Sequence, residues 1–245
     1  MVVLCFGHGS PVPAEGSGPV ISHKHHCIFI HIPKCGGTSI EWVLGHHDVY
    51  TGWGAQDHRT LAELEPWRLS RSLSRRGMME SLRQVKRVLR PVATPNPCNS
   101  LTVTPEQYRR YYRFSIVRNP WTRAYSWYRN AMRDGRHHEG QEMPGLSFAA
   151  YMARHAGRGW LRPQLHWLRD RAGTLDLDFI GRFETLVEDF ATVSARLSLG
   201  AVTLPHKVAG EGGLPLAEVL DDATDALIRR TYAEEIEIFG YARPV

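Results

Sequence analysis

Residues 28–40 read IFIHIPKCGGTSI, and this stretch indicates the fold more strongly than any other part of the chain. An apolar run ends at Pro-Lys, two glycines follow, and two hydroxyl residues precede a new apolar pattern. This order is typical of a strand that leads into an anion-binding turn and a helix, because glycine lets the backbone approach an anion and the first helical amides have no partner within the helix. The residues expected to contact the anion are Pro33, Lys34, Cys35, Gly36, Gly37, Thr38 and Ser39.

The position of Lys34 distinguishes this turn from the loops that bind nucleoside triphosphates. In those loops the lysine follows the glycines and directly precedes Ser or Thr, and the chain has no Gly-Lys-Ser or Gly-Lys-Thr sequence. We expect Lys34 to supply a mobile cation with three donors. The adjacent Cys35 could carry a reactive thiol of lowered pKa, but we favour a role for its backbone amide alone.

The composition is that of a globular protein of 245 residues, with 42% hydrophobic and 22% charged residues, long enough for one α/β domain with a full core. No apolar run approaches the roughly 20 residues of a membrane helix. The formal net charge of +5 suits an anionic ligand and does not single out nucleic acid, for which we expect no role. Four cysteines without Cys-x-x-Cys spacing favour reduced thiols in a cytoplasmic protein; they are Cys5, Cys27, Cys35 and Cys98.

Short apolar runs and helical patterns alternate along the chain. This alternation predicts an α/β, P-loop-like fold of three layers, with a central and mainly parallel sheet flanked by helices. The predicted strands are 27–32, 113–117 and 178–183. The predicted helices are 38–45, 120–132, 184–198 and 223–238.

A flexible lead is expected over residues 1–24, where Gly, Pro and Ser are frequent. A single domain over residues 25–245 should follow, with a basic insertion at about 68–105. Within the insertion, residues 68–90 contain eight Lys and Arg side chains and one acid. This stretch is either an amphipathic helix with a solvated basic side or a docking surface for a polyanionic acceptor or an acidic partner.

A second candidate anion site lies where another predicted strand ends. Arg118 follows the apolar run 113–117, at the edge where open α/β sheets bind ligands. Ser126 lies two turns into the following helix, on a side that can face Arg118, and a guanidinium with a hydroxyl suits a phosphate dianion. Two such sites predict a ligand with two separated anionic groups. The alternatives are that Arg118 pairs with Glu184 and that Ser126 is a surface serine.

Together these motifs resemble those of sulfotransferases that use 3′-phosphoadenosine 5′-phosphosulfate (PAPS). Residues 33–39 resemble the 5′-phosphosulfate loop of that family, and residues 117–120 with Ser126 resemble its 3′-phosphate motif. Residues 178–184 are similar to the segment near the adenine, which implies nucleotide contacts for Arg182 and Phe183; Phe183 could equally belong to the core. The tail also resembles that of bacterial and Golgi-type carbohydrate sulfotransferases.

The resemblance implies in-line transfer of a sulfuryl group from PAPS to a hydroxyl, with a carbohydrate as the expected acceptor. Lys34 would stabilise the leaving phosphate, and no metal is expected, because a sulfuryl group carries less charge than a phosphoryl group. We predict that His58, which precedes Arg59-Thr60-Leu61, is the general base, since histidine titrates near neutral pH. Its alternative is a surface histidine at a helix start.

Several questions stay open at the level of the sequence. The insertion leaves the acceptor undefined among glycans, anionic polymers and other hydroxyl compounds, and the oligomeric state is not indicated. Competing interpretations are an ATP-dependent kinase with an unusual loop, and a non-catalytic module that binds nucleotide or sulfated glycan. Adjacent histidines diverge on a helix or a strand, so we expect surface positions and no metal site for the pairs His25-His26, His46-His47 and His137-His138.

Overall fold

A computed structural model describes residues 20–48, 50–52, 54–66, 95–133, 145–200, 202–205 and 214–244 of the chain. Its strands are Ile21–Ser22 (β1), Cys27–Ile30 (β2), Tyr112–Val117 (β3) and Phe179–Arg182 (β4). They form one sheet in the order β1-β2-β3-β4. β2, β3 and β4 are parallel to one another, and the short β1 pairs with β2 in the antiparallel sense.

Helices flank the sheet and connect its parallel strands. The α-helices of the described residues are Gly37–Val43 (α1), Leu61–Leu64 (α2), Pro105–Arg110 (α3), Pro120–Arg133 (α4), Phe148–His155 (α5), Leu165–Leu168 (α6), Leu186–Arg196 (α7), Leu216–Val219 (α8), Asp222–Thr231 (α9) and Ala233–Phe239 (α10). Short 3₁₀ helices are His46–Asp48, Pro97–Ser100, Gly159–Leu161 and Phe183–Thr185. The predicted α/β fold with a mainly parallel sheet flanked by helices is therefore confirmed.

The parallel register brings three chain segments to one edge of the sheet. Ile30 of β2 pairs with Ser115 of β3, whose hydroxyl donates to the Ile30 carbonyl over 2.7 Å. Val117 of β3 pairs in turn with Arg182 of β4. Because parallel strands end on the same side, the residues that follow β2, β3 and β4 meet at this edge.

Two hydrophobic clusters hold the sheet and the helices together. The larger cluster surrounds the strands and includes Ile28, Phe29 and Phe114. The smaller cluster packs α4 against α5 and α9, with Trp121 and Met152 at its centre. Helix α4 is therefore fixed by its own core, which leaves another of its faces directed toward the edge of the sheet. No helix in the described parts of the chain has the length and apolarity to cross a membrane.

Two sequence predictions need correction in the described residues. The flexible lead predicted over 1–24 is wrong for residues 20–24, because Ile21 and Ser22 are buried in β1 and Val20 accepts a bond from the amide of Phe29. The single helix predicted over 223–238 is two helices, because the backbone at Tyr232 leaves the helical region. Helix α3 was not among the predicted helices.

The start of α3 did carry a readable signal. Thr104 accepts from the amide of Gln107, and the Gln107 side chain accepts from the amide of Thr104, which is a capping box followed by proline at the first helical position. Residues 1–19 and 67–94 lie outside the described residues. The predictions for the N-terminal lead before residue 20 and for the basic stretch 68–90 lie outside them as well.

Candidate functional site

The turn between β2 and α1 has the backbone that its glycines predict, with one addition. Gly36 caps α1 with φ of 80°, and Lys34 is also in the left-handed region with φ of 68°. A Cβ on Gly36 would lie 2.9 Å from the Leu186 side chain, and a Cβ on Gly37 would lie 2.1 Å from Cδ2 of His31. Both glycines are therefore required by close approach, and Gly36 by its positive φ as well.

The amides at the start of α1 can receive an anion. The amide of Cys35 donates to the carbonyl of Ile32 over 3.3 Å, and the amide of Ser39 donates to the carbonyl of Gly36 over 3.2 Å. No hydrogen bond between described residues uses the amides of Gly36, Gly37 or Thr38. Three consecutive donors at a helix start form a cradle for a phosphate or sulfate group.

The hydroxyl of Ser39 and the thiol of Cys35 are engaged by protein atoms. Ser39 Oγ donates to the carbonyl of Pro205 over 2.7 Å, and Cys35 Sγ donates to Oε1 of Gln164 over 3.4 Å. Burial raises the pKa of the Cys35 thiol to about 12. The lowered pKa considered for Cys35 is therefore wrong, and its backbone is the part that belongs to the turn.

Lys34 lies among cations. Its ammonium donates to Oδ1 of Asn130 over 3.4 Å. Burial, together with the guanidinium groups of Arg118, Arg133 and Arg129, lowers the pKa of Lys34 to about 8. Four positive side chains that repel one another are suited to an anionic ligand, because a bound anion would relieve that repulsion.

Arg118 follows β3 and reaches back to the turn. Its Nη1 donates to the carbonyl of Lys34 over 3.0 Å, and its Nε donates to the Thr122 hydroxyl over 3.1 Å. The guanidinium lies 4.1 Å from the centre of the Phe183 ring. The alternative partner Glu184 accepts from the amide of Asn119 over 2.8 Å and forms no ion pair with Arg118 among the described residues, although its charge raises the pKa of Arg118.

One polar face of α4 joins the two cations. Thr122 contacts Arg118, and Asn130 contacts Lys34. Ser126 lies on the same helix, four residues after Thr122 and four before Asn130. Residues four apart share a face of an α-helix, so Ser126 stands between the two cations, and it is half-buried. The side chains of Lys34 and Arg118 therefore lie on the same face of the molecule.

The last two predicted nucleotide contacts differ in their surroundings. The Phe183 ring packs near Gly36 and under the Arg118 guanidinium, so it contacts both parts of the site. Arg182 instead directs its guanidinium to the carbonyl of Phe239, at 2.5 Å, and over the Tyr241 ring. The side chain of Arg182 thus packs against the C-terminal segment.

Two buried polar residues that the sequence analysis did not identify support the site. Gln164 accepts from the amide of Arg118 and donates to the Arg118 carbonyl, both over 2.8 Å. Arg123 donates from its guanidinium to the carbonyls of Pro33, Trp160 and Arg162. Gln164 had no motif around it, whereas Arg123 lay five residues after Arg118 on a helix already predicted to face the site.

His58 lies beside this turn with a defined tautomer. Its Nδ1 is 2.9 Å from the carbonyl oxygen of His31, and because a carbonyl only accepts, Nδ1 carries the proton and Nε2 keeps the lone pair. The two imidazole rings are 4.3 Å apart. Burial, together with the charge of His31, lowers the pKa of His58 to about 3, so the free ring is neutral near pH 7.

Trp160 lies next to His58, and Trp127 lies next to Trp160. The Trp160 ring is 5.0 Å from the His58 ring, edge to face, and 5.8 Å from the Trp127 ring. Trp160 is 44% exposed although it is large and apolar. The described residues thus place an accessible aromatic surface beside the imidazole.

The histidine pair at 46–47 departs from expectation. His46 and His47 are buried rather than on the surface, and both lie near the carboxylate of Glu41. In the other pairs, His25 is half-buried, His26 is exposed, and residues 137–138 lie outside the described residues. No group of three or more potential ligands among the described residues is arranged to hold a metal ion.

The family of the chain follows from its comparison with known proteins. The model of the sulfotransferase family matches residues 18–242, which include the turn, Arg118 and the C-terminal helices. The chain therefore belongs to the sulfotransferase family. The comparisons with curated proteins and with solved structures gave no match.

Proposed function

We propose that this protein transfers a sulfuryl group from PAPS to a hydroxyl of a carbohydrate acceptor. Membership of the sulfotransferase family supports sulfuryl transfer in general. The identity of the donor and of the acceptor is our proposal, and it rests on the arrangement of charged and aromatic groups around the turn.

One observation carries the choice of donor: Arg118 donates directly to the backbone of Lys34. Two cationic groups from different motifs thus belong to one site, with the half-buried Ser126 between them on α4. A ligand with a 5′-phosphosulfate at the turn and a 3′-phosphate near Arg118 and Ser126 would use both. Gly36, Gly37 and Thr38 would donate backbone amides to the first group.

The proposed reaction is an in-line displacement at sulfur. The acceptor oxygen attacks sulfur, its O–H proton passes to Nε2 of His58, and the bond between sulfur and the 5′-phosphate oxygen breaks. Lys34 and the turn amides stabilise the charge that develops on the leaving oxygen. The nearby anionic donor favours the imidazolium form of His58, which offsets the low basicity of the free ring. The step requires no divalent metal.

A carbohydrate is the acceptor that best suits the surface beside His58. The exposed face of Trp160 offers a flat apolar platform next to the proposed base. Sugar rings have apolar C–H faces that pack on aromatic rings, with hydroxyls directed to the sides.

We also propose a single sulfotransferase domain over residues 25–245 and a cytoplasmic location. The family match, which runs almost to the C-terminus, supports the first proposal. The buried thiols of Cys27, Cys35 and Cys98, which are free cysteines, agree with a reducing compartment.

Calorimetry and label transfer test the proposal. We expect adenosine 3′,5′-bisphosphate to bind more tightly than ATP, and Arg118→Ala to weaken its binding about 10- to 100-fold, because hydrogen bonds to a charged group are lost. With sulfur-labelled PAPS, label should pass to neutral oligosaccharides in preference to simple alcohols, with or without a chelator.

Arg154→Ala is the matched control, since Arg154 is an exposed arginine on α5. It should leave binding of the bisphosphate unchanged. Tighter binding of ATP, or equal binding by wild type and Arg118→Ala, would overturn the donor assignment. Transfer to alcohols but not to oligosaccharides would overturn the acceptor assignment alone.

A further inference from the structure

Glu41 lies on α1, the helix that follows the anion-binding turn, and its carboxylate is buried in the protein. Its Oε1 accepts from Nδ1 of His31 over 2.8 Å and from the backbone amide of Asp57 over 3.3 Å. Its Oε2 has no hydrogen-bond partner among the described residues, and Nε2 of His47 lies 3.6 Å from it. A buried carboxylate with one unsatisfied oxygen is costly, so packing alone does not account for it.

Glu41 binds the His31 ring and the Asp57 amide, and these two groups determine the position of His58. The carbonyl of His31 accepts a hydrogen bond from Nδ1–H of His58, and the His31 ring packs against the His58 ring. Asp57 directly precedes His58, so fixing its amide fixes the backbone from which the imidazole extends. A single carboxylate thus anchors both the partner of the imidazole and its main chain.

The charge around Glu41 agrees with an ionised group. Burial by itself would raise the pKa of Glu41, but the charge of His31 and its hydrogen bond outweigh that effect, with His47 and His46 contributing, so the pKa lies below its ordinary value. The carboxylate of Asp57 forms its ion pair with Arg59, and its charge acts on His46 only as a smaller effect.

We propose that Glu41 is a positioning residue that, through His31 and the Asp57 amide, holds His58 with its proton on Nδ1 and its Nε2 lone pair toward the acceptor. This inference rests on the proposed function, in which His58 is the general base. It assigns the start of α1 two roles, since the helix that offers amides to the donor also carries the group that orients the base.

The variant Glu41→Gln tests this with a side chain of nearly the same shape and no charge. We expect kcat for transfer from PAPS to the best neutral oligosaccharide to fall about tenfold or more, because a small displacement of a catalytic group is costly. The KM for PAPS should stay within about twofold. In nitrogen NMR of ¹⁵N-histidine-labelled protein, His58 of wild type should be present only as the tautomer protonated on Nδ1. In Glu41→Gln, His58 should be a mixture of both neutral tautomers.

His47→Gln is the matched control, because His47 approaches the other oxygen of Glu41 and does not contact His58 in the described residues. It should leave the His58 signals unchanged. If Glu41→Gln does not fold, Glu41→Asp keeps the charge but withdraws the carboxylate, and it should give the same mixture of tautomers.

An unchanged His58 tautomer in the folded Glu41 variant would overturn the inference, as would an unchanged kcat. A fall in kcat accompanied by an equal loss of PAPS binding would also overturn it, because that result indicates general damage to the turn. The NMR measurement needs no donor or acceptor. It therefore tests the positioning of His58 even if the assignment of PAPS fails.

Discussion

Two regions of the molecule reach the same edge of the sheet by different routes. The anion region consists of the turn 33–39 with Arg118 and Ser126, and each part directly follows a strand or lies on the next helix. The base region consists of His31, Glu41, His58 and Trp160, which come from four separate elements or connections. The first region is built from two short motifs that each follow a strand, whereas the second exists only after the chain has folded.

The difference reflects what each region has to do. An anion can be held by backbone amides and flexible cations, which a short motif such as Gly36-Gly37 supplies wherever a strand meets a helix. Proton transfer needs one nitrogen in one tautomer at one position. That requirement is met by packing and by buried hydrogen bonds around His58, and these need no recurring spacing.

The largest expected effect separates the two regions functionally. His58→Ala should lower kcat for sulfuryl transfer by about 10²- to 10⁴-fold, the usual contribution of a general base. Binding of adenosine 3′,5′-bisphosphate, measured by calorimetry, should stay as in wild type. The exposed His26 provides the control, since His26→Ala should change neither quantity. If His58→Ala loses nucleotide affinity in proportion to its rate, the two regions are not independent.

The next effect concerns the side chain that links the regions. Arg123 is buried and donates to Pro33 of the anion region and to Trp160 of the base region. Arg123→Met should lower the free energy of unfolding by about 2–4 kcal/mol, because several buried carbonyls lose a charged donor. Denaturant titration measures this change.

The folded Arg123→Met protein should also lose nucleotide affinity and kcat together, in contrast to His58→Ala. Arg154→Met replaces an exposed arginine and should alter stability by less than about 0.5 kcal/mol. A stable Arg123→Met protein with normal activity would show that the regions hold their places without this link.

The smallest effect is the pH dependence of the anion region. The pKa of Lys34 is lowered to about 8, so its positive charge is present below that pH and is lost as the pH rises through it. Affinity for adenosine 3′,5′-bisphosphate should therefore fall about fourfold between pH 7 and pH 8.5. In Lys34→Arg the cation persists and the affinity should be nearly constant over this range. A similar decline in both proteins would assign the pH dependence to another group.

The sequence was sufficient for the parts that repeat a local rule. The alternation of apolar runs predicted β2, β3, β4 and the parallel sheet, and the turn 33–39 with Arg118 identified the edge of the sheet where they meet. The short β1 was not predicted, because two residues leave no periodic pattern. The roles given to Lys34, His58 and the other site residues stay predictions for the experiments above.

What the sequence could not indicate are the contacts between distant buried polar groups. Glu41 occupies a helical position that is typical of a solvated acid, and nothing in its spacing indicates three histidines around it. Gln164 likewise lies in a stretch without a motif, although it bonds both backbone groups of Arg118. Such residues satisfy groups that only the folded chain brings together.

The left-handed backbone at Lys34 has a consequence for how the turn can vary. A non-glycine residue with φ of 68° is held about 1 kcal/mol above its relaxed conformation. Glycine at this position would relieve the backbone but would remove the ammonium group. The main chain of the turn is therefore slightly strained at the residue that supplies the cation. A replacement by glycine that relieves this strain and stabilises the fold also removes a positive charge from the anion-binding turn.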